Sequence, residues 1–169
     1  FIIVVLHFTE RRIYKMKILA VIPARAGSKG IPNKNIRIVG GKPLIYYSID
    51  NAKKSRFITD VIVTTDSPQV KIIAQQMGVK YKSRDEKLCG DSITLDAVIE
   101  DAIPKDLSWD YIITMQPTSP TLSVETLDKA IQYAVVNDMD TVISAINAPH
   151  LSWRDENGKK MPNYKERLN

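Results

Sequence analysis

Between residues 23 and 35 the chain reads Pro-Ala-Arg-Ala-Gly-Ser-Lys-Gly-Ile-Pro-Asn-Lys-Asn, a stretch dense in groups that bind anions. Arg25, Lys29 and Lys34 contribute positive charge, and an arginine holds two oxygens at once. Gly27 and Gly30 let backbone N–H groups approach an anion closely, and successive N–H groups make a concave anion site. Pro23 and Pro32 stiffen the segment, which limits the entropy lost on binding. That chemistry suits a polyphosphate. On composition alone the same loop also reads as a solvated basic turn. The motif G-x-x-x-x-G-K-S/T is absent, because Gly27 and Gly30 lie too close together and Ile31 follows; G-x-G-x-x-G is absent as well. P-loop ATPases and dinucleotide oxidoreductases are therefore disfavoured.

Such a loop needs a rigid element on each side. Residues 18–22 are a continuous apolar run, as expected of a strand covered on both faces. Helical spacing follows Pro43 over residues 44–54, and residues 61–65 read as a second strand. Ser67 and Pro68 predict an N-cap and first position for a helix to Met77, stopped by Gly78. Residues 79–82 read as a short strand. In 94–103, Leu95, Val98, Ile99 and Ala102 share one helical face. A strand over 111–115, a helix over 124–136 with Leu127, Ala130, Ile131 and Ala134 inward, and a strand over 141–146 complete the series. Strand and helix alternate with short connections, which predicts an α/β fold: a mostly parallel sheet with helices on both faces. Ligands of such sheets sit at the carboxyl ends of strands, where the loop of 23–35 begins.

The bulk numbers agree with one ordinary globular domain of 169 residues. Net charge is +5, of which Arg11, Arg12 and Lys15 against Glu10 supply +2; from Met16 onward it is +3. The basic residues are scattered without interleaved aromatics, so no nucleic-acid surface is expected. Cys89 is the single cysteine, and His7 and His150 are the only histidines, which excludes an intrachain disulfide and disfavours a Cys- or His-based metal cluster. The six apolar residues 1–6 are too short to span a bilayer and lack the order of a secretory signal, so no membrane association is expected. Residues 1–15 are read as an upstream extension outside the fold, with a short real strand as the alternative. Residues 154–169 read as a polar, charged stretch with no closing element.

The string Pro-Ala-Arg-x-Gly-Ser-Lys-Gly-x-Pro-x-Lys-Asn resembles the opening motif of the acylneuraminate cytidylyltransferases, the family of CMP-sialic acid synthetases. The likeness continues through Gly41-Lys42-Pro43-Leu44, Val63-Thr64-Thr65-Asp66, Ser83-Arg84, Leu88-Cys89-Gly90-Asp91 and Gln116-Pro117-Thr118-Ser119-Pro120, in the family's order. It covers nearly everything from Met16 to about residue 146.

The resemblance implies a Rossmann-like three-layer nucleotidyltransferase fold. It implies a transferase that moves CMP from CTP to the anomeric hydroxyl of a sialic-acid-type nonulosonic acid and releases pyrophosphate. Arg25 and Lys34 would be catalytic, holding the triphosphate and stabilising charge at the α-phosphorus. Pro23, Ala24, Gly27, Ser28, Lys29 and Asn35 would line the same nucleotide site. Arg84 would meet the cytidine side, Ser92 and Thr94 are both candidates for the hydroxyl near the base or ribose, and Gln116 would face the sugar. Mg²⁺ is the implied cofactor, and the family's Asp-x-Asp metal ligands are expected beyond Asn169 rather than in this chain. Residues 16–150 would form the nucleotide-binding domain, and 151–169 the start of a dimerisation and sugar-binding region whose C-terminal part is missing. A truncated chain that binds CTP without turnover, a cytoplasmic location, and a homodimer at full length are the remaining expectations. The Ser-Lys-Gly-Ile-Pro loop argues against an octulosonate or sugar-1-phosphate acceptor, whose relatives carry a Thr-Arg-Leu-Pro type.

Overall fold

A computed structural model describes residues 2–5, 16–27, 30–90, 92–105, 107–144, 153–157 and 159–162. Its central strand β2 (Ile18–Pro23) buries its first five residues completely, as a run without polar interruption must when both faces are covered. Because successive side chains point to opposite faces, β2 feeds two cores. Ile18, Ala20 and Ile22 pack with residues of α1 (Leu44–Lys54), α2 (Pro68–Gln76) and α4 (Val124–Val136). Leu19 and Val21 pack with Ile99 and Ala102 of α3 (Leu95–Ala102) on the opposite side. The result is the expected three layers, helix–sheet–helix.

The sheet has six strands in the order β6-β5-β2-β7-β1-β8, with β5 at Asp60–Thr65, β6 at Lys80–Ser83, β7 at Tyr111–Thr114, β1 at Ile2–Val5 and β8 at Thr141–Ile143. Strands β6, β5, β2 and β7 pair in parallel, so their carboxyl ends share one edge. Three helices start on side-chain caps. Ser67 accepts from the Val70 N–H with Pro68 next in line, Thr94 from Ala97, and Ser123 from Thr126. Gly78, at φ 67°, ends α2 as its sequence position indicates.

Residues 1–15 are not wholly outside the fold. Strand β1 lies antiparallel between β7 and β8, with Ile3 opposite Ile113 on one side and Val142 on the other. Its Ile-Ile-Val-Val sequence has the β-branched character of a strand, and it pairs backbone edges of β7 and β8 that would otherwise be open. The short-strand alternative therefore describes residues 2–5, while 6–15 lie outside the described residues. Of the strand expected over 141–146, Thr141–Ile143 form β8, Ser144 is not strand, and 145–146 lie outside the described residues. The polar stretch near the end contains an antiparallel hairpin, β9 (Trp153–Glu156) with β10 (Lys159–Pro162), turning at Asn157 with φ 54°. A second small hairpin, β3 (Ile38–Val39) with β4 (Lys42–Pro43), turns at Gly40 and Gly41, both at positive φ. Among the described residues no helix is long and apolar enough to cross a membrane.

Candidate functional site

A cleft of about 430 Å³ opens at the carboxyl edge of the parallel strands. One wall comes from the loop after β2: Pro23, Arg25, Gly30, Lys34 and Asn35. Another comes from the connection after β6 and the start of α3, with Arg84, Leu88, Gly90, Ile93, Leu95 and Val98. Gln116, Pro117 and Thr118, just after β7, close the third side. Cationic side chains and an apolar surface thus share a single cavity. Such a pairing suits a ligand with a charged tail and a flat, less polar head.

The loop after β2 is held from behind by the end of β5. The Ala24 N–H donates to the Thr64 carbonyl at 3.0 Å, and the Thr65 hydroxyl donates to the Ala24 carbonyl at 2.6 Å. One residue on, the Ala26 N–H donates to Asp66 Oδ1 at 2.8 Å. From the far end of the loop, Asn35 Nδ2 donates to the Arg25 carbonyl at 3.0 Å, and Asn35 is buried. Lys34 and Asn35 sit in a single 3-10 turn, Lys34–Ile36, entered through Asn33 in the left-handed region at φ 55°. That turn brings Lys34 to the side of the cleft that Arg25 occupies.

Arg84 is anchored to the same strand end. Its N–H donates to the Thr65 carbonyl at 3.0 Å and its Nη2 to the Thr64 carbonyl at 3.0 Å. Burial draws the Arg84 guanidinium below its ordinary value, while the nearby Asp66 carboxylate opposes that shift. An arginine starts so high that it stays charged at neutral pH. Beside it, Asp85 caps the 3-10 turn Glu86–Leu88, and the Cys89 thiol donates to the Asp85 carbonyl at 3.3 Å. Burial, and after it the Asp66 carboxylate, pushes the Cys89 thiol up.

Of the residues singled out in the sequence, Pro23, Arg25, Lys34, Asn35, Arg84 and Gln116 meet in this cleft. Ala24 lies fully buried behind it, and Gly27 is exposed outside its lining. Ser28 and Lys29 lie outside the described residues. Neither Ser92 nor Thr94 lines the cleft; the Thr94 side chain instead accepts from the Ala97 N–H at the start of α3. Sequence reasoning assigned no site role to Ile93, Leu95 and Val98, because helical spacing shows a buried face without saying whether it covers a sheet or a cavity. Among the described residues no group of three or more His, Cys, Asp or Glu side chains is placed to hold a metal ion.

A family model described as Cytidylyltransferase matches residues 19–159. Over 143 residues the chain is 39% identical to CMP-N,N'-diacetyllegionaminic acid synthase of Legionella pneumophila, covering 82% of this chain and 62% of that protein. It is 36% identical over 139 residues to 3-deoxy-manno-octulosonate cytidylyltransferase of Bdellovibrio bacteriovorus, covering 80% and 54%. Among solved structures, CMP:2-keto-3-deoxy-manno-octonic acid synthetase complexed with CTP superposes with a TM-score of 0.61 at 27% identity, over 72% of this chain and 48% of that one. The chain thus spans 62% and 54% of the length of these two curated relatives.

Proposed function

Since the chain belongs to the cytidylyltransferase family, we propose that its cleft is a CTP site and that it serves the transfer of CMP to a nonulosonic acid. The observation that carries this reading is the convergence of Arg25 and Lys34, from one loop, with Arg84 and the apolar face of Ile93, Leu95 and Val98. The triphosphate lies along the loop after β2, and the base and ribose lie against Arg84 and α3. Gln116, at the end of β7, faces the acceptor.

In the reaction the anomeric hydroxyl oxygen forms a bond to the α-phosphorus of CTP. The bond from that phosphorus to the bridging oxygen breaks, pyrophosphate carries away the electron pair, and the hydroxyl proton is lost. Phosphoryl-type transfers of this kind rest on positioning and on stabilising oxygen charge. Arg25 and Lys34 supply both, by fixing the phosphates and by donating to oxygens whose charge grows during transfer. Mg²⁺ binds nucleotide phosphates with one or two carboxylates and several waters. Among the described residues no group of three or more His, Cys, Asp or Glu side chains is placed to hold the ion. The acceptor is assigned to the sialic-acid type on the Ser-Lys-Gly-Ile-Pro loop, although a curated relative and a solved structure named above both carry a deoxy-octulosonic acid in their names. A homodimer at full length and a cytoplasmic location complete the proposal.

Calorimetry of this chain with CTP, ATP and UTP tests the nucleotide; no measurable preference for CTP defeats the proposal. Pyrophosphate release by the full-length protein, with sialic, legionaminic, pseudaminic and octulosonic acids in parallel, tests the acceptor. Release with octulosonic acid alone refutes the nonulosonic assignment. The same assay on this chain decides whether it binds without turnover, and any release refutes that reading.

A further inference from the structure

Asp66 stands at the carboxyl end of β5, directly behind the loop that would cradle the triphosphate. A carboxylate is a poor neighbour for a polyphosphate, since its charge opposes the ligand it stands near. Its oxygen Oδ1 accepts the Ala26 N–H at 2.8 Å. The other end of that peptide unit, the Arg25 carbonyl, accepts from Asn35 Nδ2 at 3.0 Å. A peptide unit is planar, so fixing its C=O and its N–H fixes its orientation. The unit joins Arg25 to Ala26, and its orientation sets the direction in which the backbone leaves Arg25. The same Asp66 carboxylate also favours the charged form of Arg84 on the opposite wall.

We propose that Asp66 is a positioning residue: together with Asn35 it clamps the Arg25–Ala26 peptide unit and so presets the phosphate loop for its ligand. The proposal rests on the reading of the cleft as a CTP site. It does not make Asp66 a contact of the nucleotide. A preset loop loses less entropy when the triphosphate arrives, which offsets the unfavourable charge.

Two variants of this chain separate the acceptor from the charge. Asp66→Asn keeps an oxygen that accepts the Ala26 N–H but is neutral; Asp66→Ala removes both. Repulsion of the triphosphate falls equally in the two, so their difference reports the clamp. In calorimetry with CTP, D66A is expected to bind at least about fivefold more weakly than D66N, as for loss of one neutral hydrogen bond in a half-buried site. Cytidine, which has no phosphate, is expected to bind both variants alike in NMR titrations. Ala26 amide exchange should be slow in the wild type and in D66N, and fast in D66A. A smaller CTP ratio, an equal loss for cytidine, or unchanged Ala26 exchange in D66A overturns the clamp. If the wild type itself ignores CTP, the functional reading fails, and the exchange comparison still decides the clamp on its own.

Discussion

Thr64 and Thr65 are adjacent, identical and both fully buried at the end of β5, yet the structure gives them unequal tasks. The Thr65 hydroxyl donates to the Ala24 carbonyl at 2.6 Å and accepts the Ser67 N–H at 3.0 Å. Both partners belong to buried residues, out of reach of water. Valine replaces threonine with little change in shape, so Thr65→Val mainly removes these two bonds. Each buried group left unpaired costs about 1–3 kcal/mol, so the pair should cost about 2–6 kcal/mol. For a chain of this size, roughly 2–4 °C of Tm is lost per kcal/mol, so a fall of about 4–24 °C is expected. Among the described residues the Thr64 hydroxyl, by contrast, accepts only from Arg84 Nε at 3.5 Å, at the limit of a useful hydrogen bond. Thr64→Val should cost under about 1 kcal/mol. Differential scanning calorimetry and urea unfolding of both variants provide the comparison, with CTP affinity measured alongside. Thr65 pins the first residue of the loop after β2, the proposed triphosphate site, so T65V should also bind CTP more weakly than T64V. The reasoning fails if T65V melts within about 2 °C of wild type, or if T64V falls as far.

Three further outcomes follow from the same geometry. Arg25→Ala should weaken CTP binding about 10–100-fold, with a smaller deficit at high salt; an unimpaired variant removes the triphosphate from this loop. The raised Cys89 thiol means that the folded state favours its protonated form. Its contribution to stability is therefore present below the unfolded thiol pKa and is lost as pH rises through the higher folded one. Labelling of Cys89 by iodoacetamide should accordingly be slow at neutral pH, accelerate above the ordinary thiol value of about 8.5, and slow further with CTP because Leu88 and Gly90 line the cleft. Reaction at the rate of a free thiol at neutral pH contradicts this. Asp128 is buried in α4 and accepts from the Ser55 hydroxyl at 2.6 Å and from Arg56 Nε at 3.0 Å. Asp128→Ala should cost about 1–3 kcal/mol in urea unfolding and leave CTP affinity unchanged, since the residue does not line the cleft.

The architecture was legible because its signals are local. A five-residue apolar run, Ser-Pro before a helical period and Gly after it are statements about neighbouring residues, and α1, α2, α3 and α4 fall where those patterns put them. The small hairpin around Gly40 and Gly41 left no apolar run long enough to register. Strand β1 was ambiguous for a different reason. Its four residues are β-branched, but whether they join a sheet depends on an open place between β7 and β8, strands more than a hundred residues away.

The site divides along the same line. Which loop carries anion-binding chemistry was legible in the sequence itself, since Arg25, Lys34 and the glycines between them lie within thirteen residues. Which residues face it was decided by tertiary structure. Only parallel pairing of β2 with β5 and β7 brings Arg25 and Lys34, Arg84 and Val98, and Gln116 around one cavity. Thr94 satisfies its hydroxyl on a helix cap, whereas Val98 and Leu95 turn toward the cleft. Thr65 and Asp66, given no role of their own by the sequence, become the loop's backing because β5 ends behind Ala24 and Ala26. Charge and flexibility belong to residues taken singly, whereas enclosure depends on how distant strands pair.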